Sequence, residues 1–223
     1  MKTVFSMRPM GGGTRAPFSM KLAGGGKFSA GGVYTRCVMT VVISMLRGVN
    51  VGGHNKIKMD ALRALYVSLK LEDVTTFIQS GNVVFRTKER ELGKISKRIG
   101  DGIEKSFGFR PEVILRTVEE MRGVVARNPF AARKDVEPGK LLVWFLVAAP
   151  EAEARKKVFT VKMEREELRI EERELYIYFP DGQGQSKLSM AAVERALKVA
   201  GTGRNWNSVL KLLEMAEGLE GAS

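Results

Sequence analysis

The chain has few of the residues that build metal centres and disulfide frameworks. Its 223 residues include one cysteine, Cys37, and one histidine, His54. A single cysteine excludes an intramolecular disulfide and the cysteine clusters of structural zinc sites, and it fits the reducing environment of the cytoplasm. One histidine without a neighbouring cysteine does not make a zinc site. We therefore predict a cytoplasmic protein without a bound metal.

Long hydrophobic runs are also missing. The longest, LLVWFLVAAP from Leu141, is shorter than the roughly 18 apolar residues that a membrane-spanning helix needs, and it suits a strand or a short buried segment. We expect no association with a membrane. With 44% hydrophobic residues the chain can bury a core, and its length allows one large domain or two of about 100 residues each.

Acidic residues are absent from the first 38 positions, which hold six basic residues and eight of the 24 glycines. Too few apolar residues are present there to offset the entropy of ordering, so we predict a disordered, glycine-rich, basic tail over residues 1–38. It is either a transit peptide or a translated upstream region, and Met39 is a suitable start. The tail supplies half of the net charge of +12, and the modest remainder is more typical of solubility than of nucleic-acid recognition.

Beyond the tail, strand and helix patterns alternate twice. The first strand-like runs are VVISML, VTTFIQ, NVVFRT and RPEVILRT, with apolar residues at helical spacing between them and a short helix after them. The second series comprises KLLVWFLVAA, ELRIEE, ELYIYF and a brief GRNW segment, with helices EAEARKKVF, SKLSMAAVERALKVA and NSVLKLLEMAEG. In the last helix, Asn207 is placed to cap the start and Gly218 to close the end.

This order predicts an α+β fold of two tandem ferredoxin-like subdomains. Each is a split β-α-β unit with an antiparallel sheet and helices on one face. The predicted subdomains span 39–127 and 140–218, joined by a linker over 128–139 that is rich in proline and glycine. Residues 219–223 are predicted to form a disordered C-terminus.

The stretch MLRGVNVGGHNKIKM, from Met45 to Met59, joins the first strand to the first helix. Gly48 and Gly53 have the spacing of a P-loop, but His54 and Asn55 stand where that loop needs lysine and then serine or threonine. The glycine spacing also fails the dinucleotide-binding fingerprint. Both nucleotide-binding motifs are therefore excluded.

Two interpretations of this stretch remain. In one, the amides of a glycine-rich turn face an anion near the start of the helix, with Lys56 and Lys58 beside it. In the other, glycine supplies positive φ, and Asn50 and Asn55 satisfy the amides of the turn. His54 is by default an exposed turn residue, because a general base needs a partner in space.

Polar residues also cluster in two later segments. FIQSGN holds Gln79, Ser80 and Asn82 at a predicted hairpin tip, where they suit either a polar ligand or a turn. QSKL and GRNWNS combine cationic and amide side chains with Trp206, which either stacks on a nucleotide base or anchors the core. The charged side chains of these two motifs are Lys187 and Arg204.

Five motifs in order resemble the bacterial domain-of-unknown-function family 1697: LRGVNVGGHNKIKM, QSGNVVF, NPF, SKL and RNWNSV. The resemblance runs from about Val41 to Met215, with departures at Gly203, where alanine is usual, and Ser208, where threonine is usual. It implies a cytoplasmic bacterial α+β protein and no established activity, substrate or cofactor.

Motifs that lie in polar loops favour a ligand surface over packing. The residues carried over to that surface are Arg47, Asn50, Gly53, Asn55, Lys56, Gln79, Ser80, Asn82, Lys187, Arg204, Asn205 and Asn207. His54, from the first motif, completes the candidate ligand-binding set.

Three functions are consistent with these residues. The first is a module that binds an anionic small molecule or nucleotide through Arg47, Lys56, Lys187 and Arg204. The second is an enzyme for phosphate-ester or acyl transfer in the same cleft, with His54 as acid or base. The third is an RNA-binding or protein-interaction domain. RNA binding is less favoured because the RNP1 pattern is absent, which leaves Phe77 and Phe85 as stacking candidates.

Overall fold

The first sheet is built around a central strand, β1 (Thr40–Leu46), whose apolar side chains are buried on both faces. The computed structural model describes residues 39–222, so the predicted tail lies outside the described part of the chain. The elements after β1 are α1 (Met59–Ser68), β2 (Glu72–Phe77), β3 (Asn82–Thr87), α2 (Leu92–Phe107), β4 (Val113–Thr117) and α3 (Val118–Ala126). The four strands are antiparallel in the order β2-β3-β1-β4.

The second sheet repeats this architecture. Its elements are β5 (Leu141–Leu146), α4 (Ala152–Val158), β6 (Glu167–Glu171), β7 (Glu174–Tyr178), α5 (Met190–Leu197), β8 (Gly201–Asn205) and α6 (Trp206–Gly221). The strands are antiparallel in the order β6-β7-β5-β8. The described residues therefore form an α+β fold with two four-stranded antiparallel sheets and six α-helices, which confirms the predicted class.

Alternate residues of the central strands face two different cores. In β1, Val42 packs with α1 and α2, whereas Ile43 points into a core shared by both halves. In β5, Leu142 packs with α4 and α5, whereas Val143 points into the shared core. Both faces of each sheet are thus covered. The sequence predicted helices on one face and did not predict the core on the other face.

The helices α3 and α6 fill the shared core and cross between the halves. From the first half, α3 accepts a 2.7 Å hydrogen bond at the Val124 carbonyl from the buried Tyr176 hydroxyl of β7. From the second half, α6 contacts β1 and β3 as well as β5 and β8. Its Leu219 carbonyl accepts a hydrogen bond from Arg86 of β3. The described residues consequently belong to one compact unit.

Three predicted boundaries are wrong. The C-terminus is helical to Gly221, past the predicted end at Gly218, because contacts such as Arg122–Glu220 hold the last turn against the first half. Asn205, one residue before the helix, caps α6 in place of Asn207 and accepts a 3.0 Å bond from the Asn207 amide. The strand predicted to run to Gln79 ends at Phe77.

The β2–β3 connection is accordingly a four-residue turn over 78–81. Ile78 leaves the strand with φ of 48°, an unfavourable value for a β-branched residue. Gly81 completes the turn with φ of 72°, and a Cβ there would lie 2.9 Å from the Cβ of Leu46. This turn therefore needs glycine at its last position.

No helix in the described part of the chain is both long and apolar enough to cross a membrane. The apolar run from Leu141 instead forms β5 at the centre of the second sheet.

Candidate functional site

Arg204 lies buried in β8 at the junction of the two halves, with only 6% of its surface exposed. Its guanidinium donates five hydrogen bonds, which equals the number of its N–H groups. The acceptors are Asn82 Oδ1, Thr202 Oγ1 and the carbonyl oxygens of Leu46, Ser80 and Gly203. Three of these acceptors belong to the first half, so Arg204 ties β8 to the ends of β1, β2 and β3.

All five acceptors of Arg204 are neutral oxygens. No carboxylate forms an ion pair with Arg204 among residues 39–222. Burial alone therefore determines the shift, and it lowers the pKa of Arg204 to about 10. At neutral pH the side chain remains a cation that lacks a counter-charge.

Arg116 of β4 occupies the corresponding position in the first half. Arg116 pairs with Ile43 across the sheet as Arg204 pairs with Val143. It reaches into the second half, where it binds Glu174 Oε1 at 2.8 Å and the Leu146 carbonyl at 3.0 Å. Desolvation lowers the pKa of Arg116, and the charge of Glu174 opposes that change.

The two motif-bearing loops nearest Arg204 are bound to each other. We call residues 47–58 and 78–81 the paired loops. The Asn50 side chain donates to the Gln79 carbonyl at 2.8 Å and to the Ile57 carbonyl at 3.0 Å, and it accepts from the Ile57 amide at 2.8 Å. Asn55 donates to the Gly48 carbonyl at 3.2 Å. Both asparagines have positive φ, so they perform the turn role that one of the two interpretations expected.

Several side chains of the paired loops face solvent. His54, Lys56 and Gln79 are exposed, and their side chains form no hydrogen bond or ion pair within residues 39–222. The apolar side chains of Val51 and Ile78 are also exposed, at 62% and 51%. Gly53 has φ of 81° and open space around it. The backbone of the paired loops is thus held by hydrogen bonds, while several of their side chains are exposed to solvent.

Arg47 connects the paired loops to the second half by an ion pair. Its Nη2 lies 2.7 Å from Glu194 Oε2 of α5, and Glu194 Oε1 accepts from the Gly201 amide at 3.2 Å. This pair is partly exposed, with 38% of the Arg47 side chain accessible. Arg47 therefore has its charge balanced within the chain.

The structure brings together the first two motifs and Arg204, but not the remaining predicted residues. Lys187 is exposed and pairs with Glu164 at 3.0 Å. Asn205 donates to the Gly139 carbonyl at 2.7 Å, and the exposed Asn207 side chain has no hydrogen-bond partner within residues 39–222. Trp206 is buried in the shared core, so it anchors packing and is not free to stack on a base.

The aromatic candidates for RNA stacking are not on an open sheet face. Phe85 is fully buried beneath α1 and α2, and Phe77 packs against the shared core. Phe85 is therefore not available to stack on an RNA base, and Phe77 is partly covered.

The described residues supply little that resembles a catalytic apparatus. No residue between 39 and 222 forms a hydrogen bond that orients the His54 ring, and the Ser80 hydroxyl accepts from Asn82 at 2.9 Å. No group of three or more histidine, cysteine, aspartate or glutamate residues is arranged to hold a metal ion within residues 39–222.

Sequence reasoning missed Arg116, Glu174, Glu194 and Thr202. A signal for Arg116 was present, because an arginine followed by a helix-capping residue ends the last strand of each half: Arg116-Thr117 and Arg204-Asn205. Aligning the halves on these pairs would have indicated equivalent positions. Glu174 and Asn82, each the first residue of a third strand, would then have become candidates as partners.

Comparisons with known proteins give a family and a fold. Residues 39–176 match the family described as "Protein of unknown function (DUF1697)". A comparison with curated proteins finds no match. Among solved structures, the chain is similar to the conserved bacterial protein SP0830 from Streptococcus pneumoniae, with 22% identity and a TM-score of 0.60, over 80% of this chain and 99% of that chain. At this identity the likeness shows a shared fold.

The family match includes LRGVNVGGHNKIKM, QSGNVVF and NPF. SKL and RNWNSV lie beyond residue 176, so the match is shorter than the predicted span to Met215. It nevertheless covers more than half of the chain, and the chain therefore belongs to the DUF1697 family of proteins of unknown function.

Proposed function

We propose that the paired loops bind an anionic small molecule or nucleotide. The observation that carries this proposal is the difference between the two ends of a repeated framework. The connection after β1 spans residues 47–58, whereas that after β5 spans 147–151. The β2–β3 turn spans residues 78–81, whereas the β6–β7 turn spans 172–173. Extra chain at one end only is typical of loops that carry function on a common scaffold.

The chemistry of the paired loops supports an anion as the ligand. Lys56 and Lys58 are exposed cations without an ion pair among the described residues. Arg204 donates to the Leu46 carbonyl, next to the first loop, and to the Ser80 carbonyl in the second. The internal hydrogen bonds of Asn50 fix the backbone and leave Gln79 and His54 available to a ligand. Such preorganisation reduces the entropy lost on binding.

We further propose that the two halves are tandem ferredoxin-like subdomains in a cytoplasmic protein. The β-α-β-β-α-β order and the same antiparallel strand order in both sheets support the first part. The single cysteine supports the second. The subdomains share a core, so we expect them to unfold together, which circular dichroism and tryptophan fluorescence test by showing coincident transitions.

The ligand is tested on the full chain with phosphate, pyrophosphate and adenosine triphosphate as probes. Binding should raise the unfolding midpoint in a thermal-shift assay and move the proton resonances of His54, which are unambiguous because the chain has one histidine. Lys56→Ala should weaken binding about tenfold, because it removes a charged contact.

Lys134→Ala is the matched control, since Lys134 is another exposed lysine without an ion pair in the described part of the chain. It should bind each probe as the native chain does. Equal losses in both variants, or no response of the native chain to any probe, would argue against the paired loops as an anion site.

The enzymatic alternative remains a prediction that depends on His54. A ligand would have to orient the imidazole, because no residue of the described chain does so. If pyrophosphate or adenosine triphosphate is hydrolysed, His54→Ala should abolish the reaction, whereas its affinity for the same probe should fall much less than its turnover. Full turnover by that variant would remove His54 from any mechanism.

A further inference from the structure

We propose that Arg204 is a positioning residue that gives the paired loops an uncompensated positive charge and makes them selective for anions with two or more negative charges, such as a pyrophosphate group. This inference rests on the proposed function and adds the charge class of the ligand. It also assigns a role to Asn82, which leaves the charge of Arg204 unbalanced.

The guanidinium lies under both loops. Arg204 Nη2 donates to the Leu46 carbonyl at 2.9 Å, immediately before the first loop, and to the Ser80 carbonyl at 3.1 Å, inside the second. All five N–H groups already have acceptors, so the side chain is not free to turn toward a ligand. Its effect on a ligand is therefore electrostatic and is transmitted through the loops it holds.

The charge of Arg204 lacks a carboxylate partner in the described part of the chain because residue 82 is asparagine. Asn82 and Glu174 begin equivalent strands, pair with Met45 and Phe145 respectively, and accept from the buried arginine of the other half. Glu174 shows that this framework accommodates a carboxylate at such a position. With asparagine at 82, the field of Arg204 is not cancelled where the paired loops meet solvent.

Burial increases the influence of this charge. A cation held in a low-dielectric region is screened less by water and salt than an exposed lysine. Arg47 does not add to the same field, because Glu194 neutralises it at 2.7 Å. A multiply charged anion beside Lys56 gains most from an additional fixed cation, since the Coulomb energy scales with the ligand charge.

The decisive variant is Asn82→Asp in the full chain, which is nearly isosteric and supplies the missing carboxylate. The Ser80 hydroxyl can donate to the new carboxylate, while a long 3.3 Å bond to the Phe77 carbonyl is lost. We expect a higher unfolding midpoint, together with pyrophosphate binding weakened about fivefold and a smaller dependence of binding on salt. A purely structural role would move stability and binding in the same direction.

Glu174→Gln is the matched control at the other end, and it should lower the unfolding midpoint without changing the affinity for pyrophosphate. Thr202→Asp provides a second carboxylate beside Arg204, since Thr202 Oγ1 accepts from Nη1 at 2.8 Å. It should weaken pyrophosphate binding as Asn82→Asp does, even if Asn82→Asp fails to fold.

The outcomes separate this inference from the proposed function. If the native chain binds pyrophosphate, and each aspartate variant that folds binds it equally well, then the role assigned to Arg204 is wrong. The proposed anion site is retained in that case. If the native chain binds none of the anionic probes, both fail. A parallel loss for dimethyl phosphate, which carries one negative charge, and for pyrophosphate would overturn the selectivity for higher charge.

Discussion

Each half holds a buried arginine at an equivalent strand position, and the two arginines differ in whether a carboxylate balances their charge. Arg116 meets the carboxylate of Glu174, whereas Arg204 meets the amide of Asn82. The end with the carboxylate has a short connection and a two-residue turn, and the end with the amide carries the paired loops. The proposed anion site rests on this difference.

The largest change in unfolding free energy should come from removing the counter-charge of Arg116, which then resembles Arg204. Glu174→Gln leaves Arg116 buried without its counter-charge, and we expect the free energy of unfolding to fall by about 3 kcal/mol. Urea denaturation followed by circular dichroism measures this loss. Asn82→Gln, which alters size without removing a charge, controls for packing at the equivalent strand start. A change below about 1 kcal/mol for Glu174→Gln would show that the two arginines do not differ in electrostatic environment.

Arg204→Met should lower the free energy of unfolding by about 2 kcal/mol at neutral pH, because five acceptors lose their donor while an unfavourable buried charge is removed. Burial lowers the pKa of Arg204 to about 10. Above that pH, and below the ordinary pKa of arginine, the unfolded chain binds more protons than the folded chain. The contribution of Arg204 to stability therefore rises with pH in that window.

The difference in unfolding free energy between the native chain and Arg204→Met should accordingly widen as the pH passes through about 10. Urea titrations on both sides of that pH measure the difference. Comparing the native chain with the variant cancels the pH-dependent contributions to stability that the two proteins share. A difference that narrows would reverse the assigned direction of the pKa change.

The halves also exchange large and small residues across equivalent strand pairs. Ser44 lies opposite Leu115 in the first sheet, and Trp144 lies opposite Gly203 in the second. A Cβ at Gly203 would lie 2.9 Å from Trp144 Cε3, so Gly203→Ala should lower the free energy of unfolding by about 1.5 kcal/mol. Trp144→Leu should relieve part of that cost in the double variant, as a double-mutant cycle of unfolding free energies measures.

The smallest expected effects concern the helix caps that follow the arginines. Thr117 caps α3 within a capping box with Glu120, and Asn205 caps α6 by accepting from Asn207. Thr117→Ala and Asn205→Ala should each lower the free energy of unfolding by about 1 kcal/mol. Thr117→Ser and Asn205→Asp should retain most of the stability. Unequal losses of unfolding free energy would show that one of the two helices is stabilised more by its N-terminal cap than the other.

Local pattern accounts for what the sequence predicted well. Apolar residues at helical spacing predicted a helix between β3 and β4, where α2 lies over Leu92–Phe107, because one face of that helix is buried. The run NVVFRT predicted β3 with the bounds Asn82–Thr87. The sequence predicted α5 too long, since SKLS is an extended entry in which Ser189 caps a helix that begins at Met190. β8 showed only as a brief segment because Gly201 and Gly203 make room for Trp144.

The candidate site depended on contacts that no local pattern contains. The sequence identified the motifs and named Arg204, Asn82 and Asn50, but Asn82 and Arg204 are 122 positions apart in the chain, so their hydrogen bond could not be predicted from local pattern. From the sequence we also placed four cationic side chains in one cleft. Arg47 and Lys187 have carboxylate partners in the second half, which charge counting along the chain cannot assign.

The crossing helices constrain the order in which a ribosome can deliver a folded product. When α3 emerges, its residues Met121 and Val124 have no cover, because Tyr176 and the apolar face of α6 have not been synthesised. A nascent first half therefore exposes the side of its sheet that later becomes the shared core, and it can complete its packing only after the last helix has left the exit tunnel. Truncation of α6 should thus expose the first half as well as the second to aggregation and proteolysis.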